Sequence, residues 1–334
     1  MRSSPHFLVS LLLPLTLLAS GMVDAGSSQC DRPRLKTPQP VPVAAEGEVT
    51  VATQNLWRLF DDVDNGGEVA TPEKYRLKLD KLARQMVDVL QVTDVLAVQE
   101  VESRQVLGAL AAEVARQSGR RAHQAVLIEG QDPGGIDVGF LVRPDWTVLS
   151  VTPLMAEMRI DGKPLFDRPP LHLVVRDGKG GTLELVNVHL RSLKGSDKPA
   201  KALRIADKRR QQVAALVSWW RQYQKAHPQA AVLMLGDFNA TPEVLGGVDV
   251  LGQLQVAGLA MLGQRLPEAE RYSYVFQCRP ELIDNIFASR ALLPRVNAVV
   301  ASRGNADAQR RMVKVSDSAV GSSDHDALVV YLRQ

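Results

Sequence analysis

Val232-Leu233-Met234-Leu235-Gly236-Asp237-Phe238-Asn239 is an apolar run that stops at an acid and an amide. Four apolar residues bounded by Gly read as a short buried strand, with Asp237 and Asn239 at its mouth. The arrangement recurs along the chain. Val49 to Thr53 leads into Gln54-Asn55, Val95-Leu96-Ala97-Val98 into Gln99-Glu100, and Leu183 to Val188 into His189. Ile283-Asp284-Asn285 and Ser323-Asp324-His325 accompany the last strands, Leu282 to Ala288 and Ala327 to Leu332. Function in layered folds sits on loops and strand ends that a rigid sheet positions. Six such endings predict one shared site.

Helices are expected between these strands. Thr71 reads as an N-cap with Pro72 at the first helical position, and Tyr75, Leu79, Leu82, Met86 and Val89 follow at helical spacing. Ser103 to Ser118 is a second helix, with Gly119 just past its end. Ala200 to Gln224 is a long basic helix burying Val213, Leu216, Val217 and Trp220. Val126-Leu127-Ile128 and Val138 to Val142 are further strands, and Leu171 to Val175 pairs with Leu183 to Val188 around the Gly178-Gly180-Gly181 turn. Strands interspersed with helices suit two packed sheets covered by helices.

Residues 1–25 read as a secretory signal: Arg2 and His6, then the apolar Phe7 to Leu18, then Val23-Asp24-Ala25. The run is short for a membrane span, so an exported protein without stable membrane insertion is expected, periplasmic or secreted. Residues 26–46 read as a linker and 47–334 as one catalytic domain, since the polar endings begin at Asn55 and finish at His325. Cleavage after Ala25 leaves 39 basic against 36 acidic residues, so the net charge stays +3. That permits an anionic substrate without demanding one. Cys30 and Cys278 fit an oxidising compartment, either bridged or as two thiols.

Chemistry follows from the residue types. Glu100 and Asp324, helped by the amide oxygen of Asn55, offer the hard oxygen donors of an open Mg²⁺ site, with Mn²⁺ or Ca²⁺ as substitutes. Asp237 can orient or deprotonate a water, and the Asn239 amide can donate to a developing phosphorane oxygen; an Asx turn explains Asp-Phe-Asn equally well in isolation. His325 needs an orienting carboxylate to act as a base, and Asp284 can serve. His189 and Arg191 are cationic candidates for a phosphate or leaving oxygen. Each histidine alone suits a structural role; their joint occurrence at strand ends favours catalysis.

Gln54-Asn55-Leu56, Val98-Gln99-Glu100-Val101-Glu102, Asn187-Val188-His189-Leu190-Arg191, Gly236-Asp237-Phe238-Asn239-Ala240, Ile283-Asp284-Asn285 and Ser323-Asp324-His325 together resemble the endonuclease/exonuclease/phosphatase superfamily. The resemblance spans residues 48–333. It implies an α/β fold, a four-layer α/β/β/α sandwich of two mixed sheets flanked by helices. It implies metal at Asn55, Glu100 and Asp324, and catalytic work by His189, Asp237, Asn239, Asp284 and His325. Either His325 or Asp237 would activate the water, and His325 paired with Asp284 is the expected base. In the DNase-type members an acid partners the His189 position, and Asp137 is the nearby candidate here.

Phe238-Asn239-Ala240-Thr241-Pro242 departs from the Asn-Tyr-Arg form of inositol-polyphosphate phosphatases, and no aromatic membrane hairpin of the sphingomyelinase kind is visible. Asn55 to Asp61, Asn187 to Ser192 and Arg271 to Phe276 resemble extracellular bacterial nucleases. Lys194 to Arg210 carries seven basic against two acidic residues, which suits a phosphate backbone and equally a solvated helix face. The expected activity is phosphodiester hydrolysis of nucleic acid, with no protein partner implied. The alternatives are a phosphoesterase for lipid or sugar phosphate head groups and a non-catalytic binding protein on the same fold.

Overall fold

Val49 to Leu56 is a run that can be buried on both faces, and it becomes the middle of a sheet. The computed structural model describes Met1 and residues 35–64, 68–242, 244 and 247–334. The chain runs through β1 (Glu48–Leu59), α1 (Pro72–Arg84), β2 (Val95–Val101), α2 (Arg104–Ser118), β3 (Gln124–Leu127) and β4 (Asp137–Val142). It crosses to a second sheet by β5 (Thr147–Pro153), a small hairpin β6 (Arg159–Ile160) and β7 (Lys163–Pro164), β8 (Leu171–Arg176) and β9 (Thr182–His189). Then come α3 (Pro199–Ala226), β10 (Val232–Asp237), α4 (Val250–Val256) and β11 (Ala260–Met261). A second hairpin, β12 (Tyr274–Phe276) and β13 (Arg279–Glu281), precedes β14 (Asp284–Ala288), β15 (Val296–Ala301) and β16 (Leu328–Arg333).

The two sheets are ordered β15-β16-β1-β2-β4-β3 and β11-β14-β10-β9-β8-β5. In each, the central pair is parallel (β1 with β2, β9 with β10) and the outer neighbours are antiparallel. Along β1 and β2 the side chains alternate. Val49, Val51, Val95 and Ala97 join the core between the sheets. Ala52, Leu96 and Val98 instead meet Leu82 and Met86 of the α1 segment and Leu107, Leu110 and Val114 of α2. Helix α3 covers the far sheet with Val213, Leu216, Val217 and Trp220. The result is the expected four-layer α/β/β/α sandwich.

The helix signals hold in detail. Thr71 Oγ1 accepts the Lys74 N–H, Ser103 Oγ accepts the Val106 N–H, and Gly119 takes φ 67° at the end of α2. Helix α1 continues into a π-helical turn over Gln85–Val89. Seven strands were not anticipated: the short hairpin strands β6, β7, β12 and β13, and in the two large sheets β5, whose pattern is largely exposed, β11, which is only two residues long, and β15, which mixes classes. A weakly apolar edge strand lacks the periodic signal of a buried one. β1 also runs past its expected stop at Asn55 to Leu59, through a register shift against β2.

The signal at 1–25, Cys30 and the first part of the 26–46 segment lie outside the described residues, Met1 apart. From Leu35 onward that segment lies along the sandwich: Leu35 N–H donates to Asp307 O, Gln39 N–H to Arg303 O and Val41 N–H to Val89 O. The described residues from Leu35 to Gln334 belong to one compact unit.

Two features lock the sheets in register beneath the site. Gln99 on β2 donates to Asn187 Oδ1 on β9 at 2.7 Å, and Asn187 Nδ2 donates to the Val98 and Gly139 carbonyls of the first sheet. These fully buried amides are satisfied across the interface, which is what makes polar burial tolerable there. Gly236, at φ 137°, lets β10 approach β9; a Cβ there would stand 2.0 Å from Val188 O. Gly236→Ala is therefore expected to cost about 3 kcal/mol or more, from backbone strain plus overlap with main chain. Thermal melting of the variant checks this; an unchanged midpoint would mean that β10 can shift freely.

Candidate active site

Strand polarity gathers the polar endings. The parallel strands β1, β2, β9 and β10 finish at one edge, and β14 and β16, running the other way, start there. Asp237 is in register with both His189 and Asp284. Three backbone irregularities aim side chains into the gap. Glu100 has φ 61° where β2 slips by one residue against β4, a bulge that turns its carboxylate out of the ladder. Trp57 and Arg58 (φ 51° and 57°) follow Asn55, and Asn239 (φ 48°) follows Asp237. Left-handed non-glycine residues are uncommon and concentrate where geometry serves chemistry.

Asn55 sits at the centre. Its Nδ2 donates to Glu100 Oε1 (3.2 Å) and Asp237 Oδ2 (3.1 Å), while its Oδ1 accepts the Trp57 N–H (2.8 Å). In this arrangement the amide tethers two carboxylates, and the oxygen expected to face a metal is turned to the backbone. Asp284 Oδ2 lies 2.7 Å from His325 Nδ1, and the Asp284 backbone N–H donates to Ser273 Oγ. His325 Nε2 is 3.9 Å from Asp324 Oδ1, and the Tyr274 ring lies tilted against the imidazole, centroids 4.9 Å apart. Gln54 Nε2 donates to the His325 carbonyl and Ser323 Oγ to the Asn55 carbonyl, tying the last loop to β1. Asp326, next in sequence to His325, faces Arg303 and the Asn305 N–H instead.

His189 Nε2 lies 3.6 Å from Asp237 Oδ2 and 3.9 Å from Glu100 Oε1. Its Nδ1 is buried and without a hydrogen-bond partner among the described residues. Asp137, expected beside it, instead accepts the Gly130 N–H at 2.8 Å and bonds Glu129; burial and that shared proton push its carboxyl up to about 8. Asn239 donates its N–H to Asp237 Oδ1 (2.8 Å) and its Nδ2 to Leu190 O, so the Asx turn and the site position coexist.

Burial first, then the positive Arg168 and His325, hold the His189 imidazole well below its ordinary range, so it is neutral and not the cation its sequence context suggested. His325 goes the other way. Burial would lower it, but the Asp284 charge and hydrogen bond, with Asp324 and Asp237, hold it well above the usual value. Burial, then the Asp284 charge, push the Asp237 carboxyl up to about 7. Asp324 is likewise raised, by burial and by Glu100, against the pull of His325 and Lys78.

The donor set suits a hard divalent cation. Glu100 and Asp324 supply partly exposed carboxylate oxygens, and the repulsion felt by Asp324 is what added positive charge relieves. Ligand atoms of Asp237, Asp284 and His325 also lie within 4.8 Å of one another. An imidazole held protonated by Asp284 is a poor ligand, so that trio suits proton handling better.

Several site residues escaped the sequence reading. Lys78 of α1 donates to Ser322 O (2.6 Å), and burial pushes its ammonium down to about 8 against Asp324 and Glu100. Arg209 and Gln212 are buried on α3 and hold the segment after His189: Arg209 Nη1 donates to Arg191 O, and Gln212 Oε1 accepts the Arg191 N–H. Their signal was present, since Ile205, Arg209, Gln212, Leu216 and Trp220 share one helical stripe. The basic run Lys208-Arg209-Arg210 is consequently not one surface. Lys208 pairs with Asp167, Arg209 is core, and Arg210 pairs with Asp207 in solvent.

A model of the Endonuclease/Exonuclease/phosphatase family matches residues 52–325, and the chain belongs to this family of phosphoric ester hydrolases, whose members are typically dependent on divalent metal. No curated protein matches its sequence. Among solved structures it is similar to truncated TDP2 of Caenorhabditis elegans, with TM-score 0.56, 17% identity, and coverage of 86% of this chain and 98% of that one. It is similar to the human nocturnin catalytic domain with bound sulfate anion, with TM-score 0.56, 14% identity, and coverage of 86% and 95%. D. rerio TDP2 complexed with single strand DNA product gives TM-score 0.53, 17% identity, and coverage of 86% and 100%. At these identities the likeness is one of fold.

Proposed function

We propose that this protein is an exported, divalent-metal-dependent phosphodiesterase that hydrolyses nucleic acid. The observation that carries the hydrolase reading is the 2.7 Å Asp284–His325 pair facing Asp237, His189 and Glu100 across one strand-end gap. A binding protein needs no such array of opposed proton donors and acceptors. Export rests on the Phe7–Leu18 run and the Val23-Asp24-Ala25 site. No helix among the described residues is long and apolar enough to cross a membrane.

The division of labour follows the charges. Asp237, fixed by the Asn239 N–H and the Asn55 amide at the mouth of the gap and raised by burial and the Asp284 charge, is assigned as the base. His325, held as imidazolium by Asp284, donates to a phosphoryl oxygen, and neutral His189 offers a second donor. Of the two groups expected to activate the water, this scheme takes Asp237 in place of His325, which the Asp284 charge and hydrogen bond favour as a donor. Asn239 holds Asp237 in orientation through its N–H. Glu100 and Asp324, beside Asn55, would hold Mg²⁺, which supplies Lewis-acid charge to the phosphate when bound.

Nucleic acid is favoured over lipid or sugar esters by the departure of Phe238 to Pro242 from the phosphatase form, and by the DNA product bound to the D. rerio relative of the fold. The test is plasmid nicking and RNA degradation with and without chelator. Cleavage with Mg²⁺ that chelator abolishes is the expected result. DNA and RNA left intact in Mg²⁺, Mn²⁺ and Ca²⁺, with phosphate or a head group released from a lipid or sugar ester, would transfer the site to that substrate class.

A further inference from the structure

Trp57 is the most exposed of the four tryptophans, with 37% of its surface open, against 4% for Trp146 and 1% for Trp220. It is also held in the left-handed region, at φ 51°, with Arg58 at 57° beside it. A large apolar ring left in solvent on a strained backbone asks for a reason in function.

Its surroundings supply one. The Trp57 N–H donates to Asn55 Oδ1, whose amide reaches Glu100 and Asp237. The Lys78 ammonium stands 4.9 Å from the ring centroid and donates to Ser322 O, two residues before Asp324. The indole therefore lies at the rim of the acid cluster, between α1 and the loop that carries Asp324 and His325. One face of the ring is backed by a cation, which draws π density toward itself and suits the ring to stacking on an electron-rich base.

We propose that Trp57, backed by Lys78, is a stacking platform for an unpaired nucleobase beside the scissile phosphate. Stacking on an indole needs a base released from its own stack, so the platform favours single strands over duplex. The inference rests on the nuclease reading and adds a substrate preference to it. A membrane surface is poorly served by the same residue, since the Lys78 ammonium stands over its ring and the adjoining Arg58 is paired with Glu68.

The test uses the full chain with Mg²⁺ and four substrates: a fluorescent single-stranded oligonucleotide, the same strand in duplex, the same strand with abasic sites flanking one phosphate, and anionic vesicles. Trp57→Ala should lower the ratio of kcat/KM on base-bearing to abasic strand about tenfold, through KM, as expected for one lost base–aromatic stack. Trp57→Phe should restore most of that ratio. Binding of a non-cleavable dinucleotide should quench tryptophan emission in the wild type and not in Trp57→Phe. Equal losses on base-bearing and abasic strands, or a wild-type ratio in Trp57→Ala, would overturn the platform and leave the nuclease reading intact. Loss of vesicle binding with an unchanged oligonucleotide ratio would assign Trp57 to a membrane surface instead. A wild type that cuts no nucleic acid would overturn both.

Discussion

His325→Ala is expected to lower turnover about 100- to 1000-fold, the scale of losing one preorganised donor to developing charge. The loss should fall on kcat, since the donor acts most strongly where phosphoryl charge builds up. Asp284→Asn separates the two roles open to the imidazole. With Asp284 in place, His325 is held charged well above its ordinary range. A donor is active while protonated, so activity is lost as pH rises through that raised value. Removing the Asp284 charge lowers it, and the alkaline limb of the pH–rate profile should move to lower pH. If His325 were the base, the acidic limb would be the one to move. Asp237, at about 7, sets the acidic limb in the scheme proposed here, so Asp237→Asn should remove that limb with most of the activity. A profile whose alkaline limb ignores Asp284→Asn would reject the assignment of His325 as donor.

Glu100→Gln is expected to weaken the apparent Mg²⁺ affinity by about 100-fold and to lower kcat/KM in proportion, because a ligand charge is removed while its shape is kept. Titration calorimetry of Mg²⁺ gives a readout independent of activity. The fold should survive. Glu100 stands among carboxylates, and its loss relieves the repulsion felt at Asp324, so the metal-free variant should melt no lower than the wild type. Wild-type turnover at low Mg²⁺ in this variant would defeat the metal assignment. A large drop in melting temperature would instead make Glu100 a structural anchor.

Most of the central architecture was legible in the sequence. Buried strands such as Val95–Val98 and Val232–Leu235, and helices with a clear N-cap such as Ser103–Ser118, carry signals that are local to a few residues. Edge strands β5, β11 and β15 do not, because an edge needs neither a continuous apolar run nor strict alternation. The candidate site residues were legible as a set, since each lies at or beside one end of a strand. Their protonation was not. His189 reads as a cation beside Arg191, yet burial and Arg168 from a distant loop keep it neutral. Lys208-Arg209-Arg210 reads as one basic surface, yet the helix turns Arg209 into the core and Lys208 onto Asp167.

What the sequence determined by itself is therefore the order of the elements, the family, and the identity of the polar groups at the strand ends. Each depends on neighbours along the chain. Tertiary structure alone decided which of those groups meet: Asp284 with His325 across 41 positions, Asn55 with Asp237 across 182, and Lys78 beneath Trp57. It also decided where the protons sit, because a pKa in this gap is set by burial and by charges from other strands, and neither distance is written in the order of the residues.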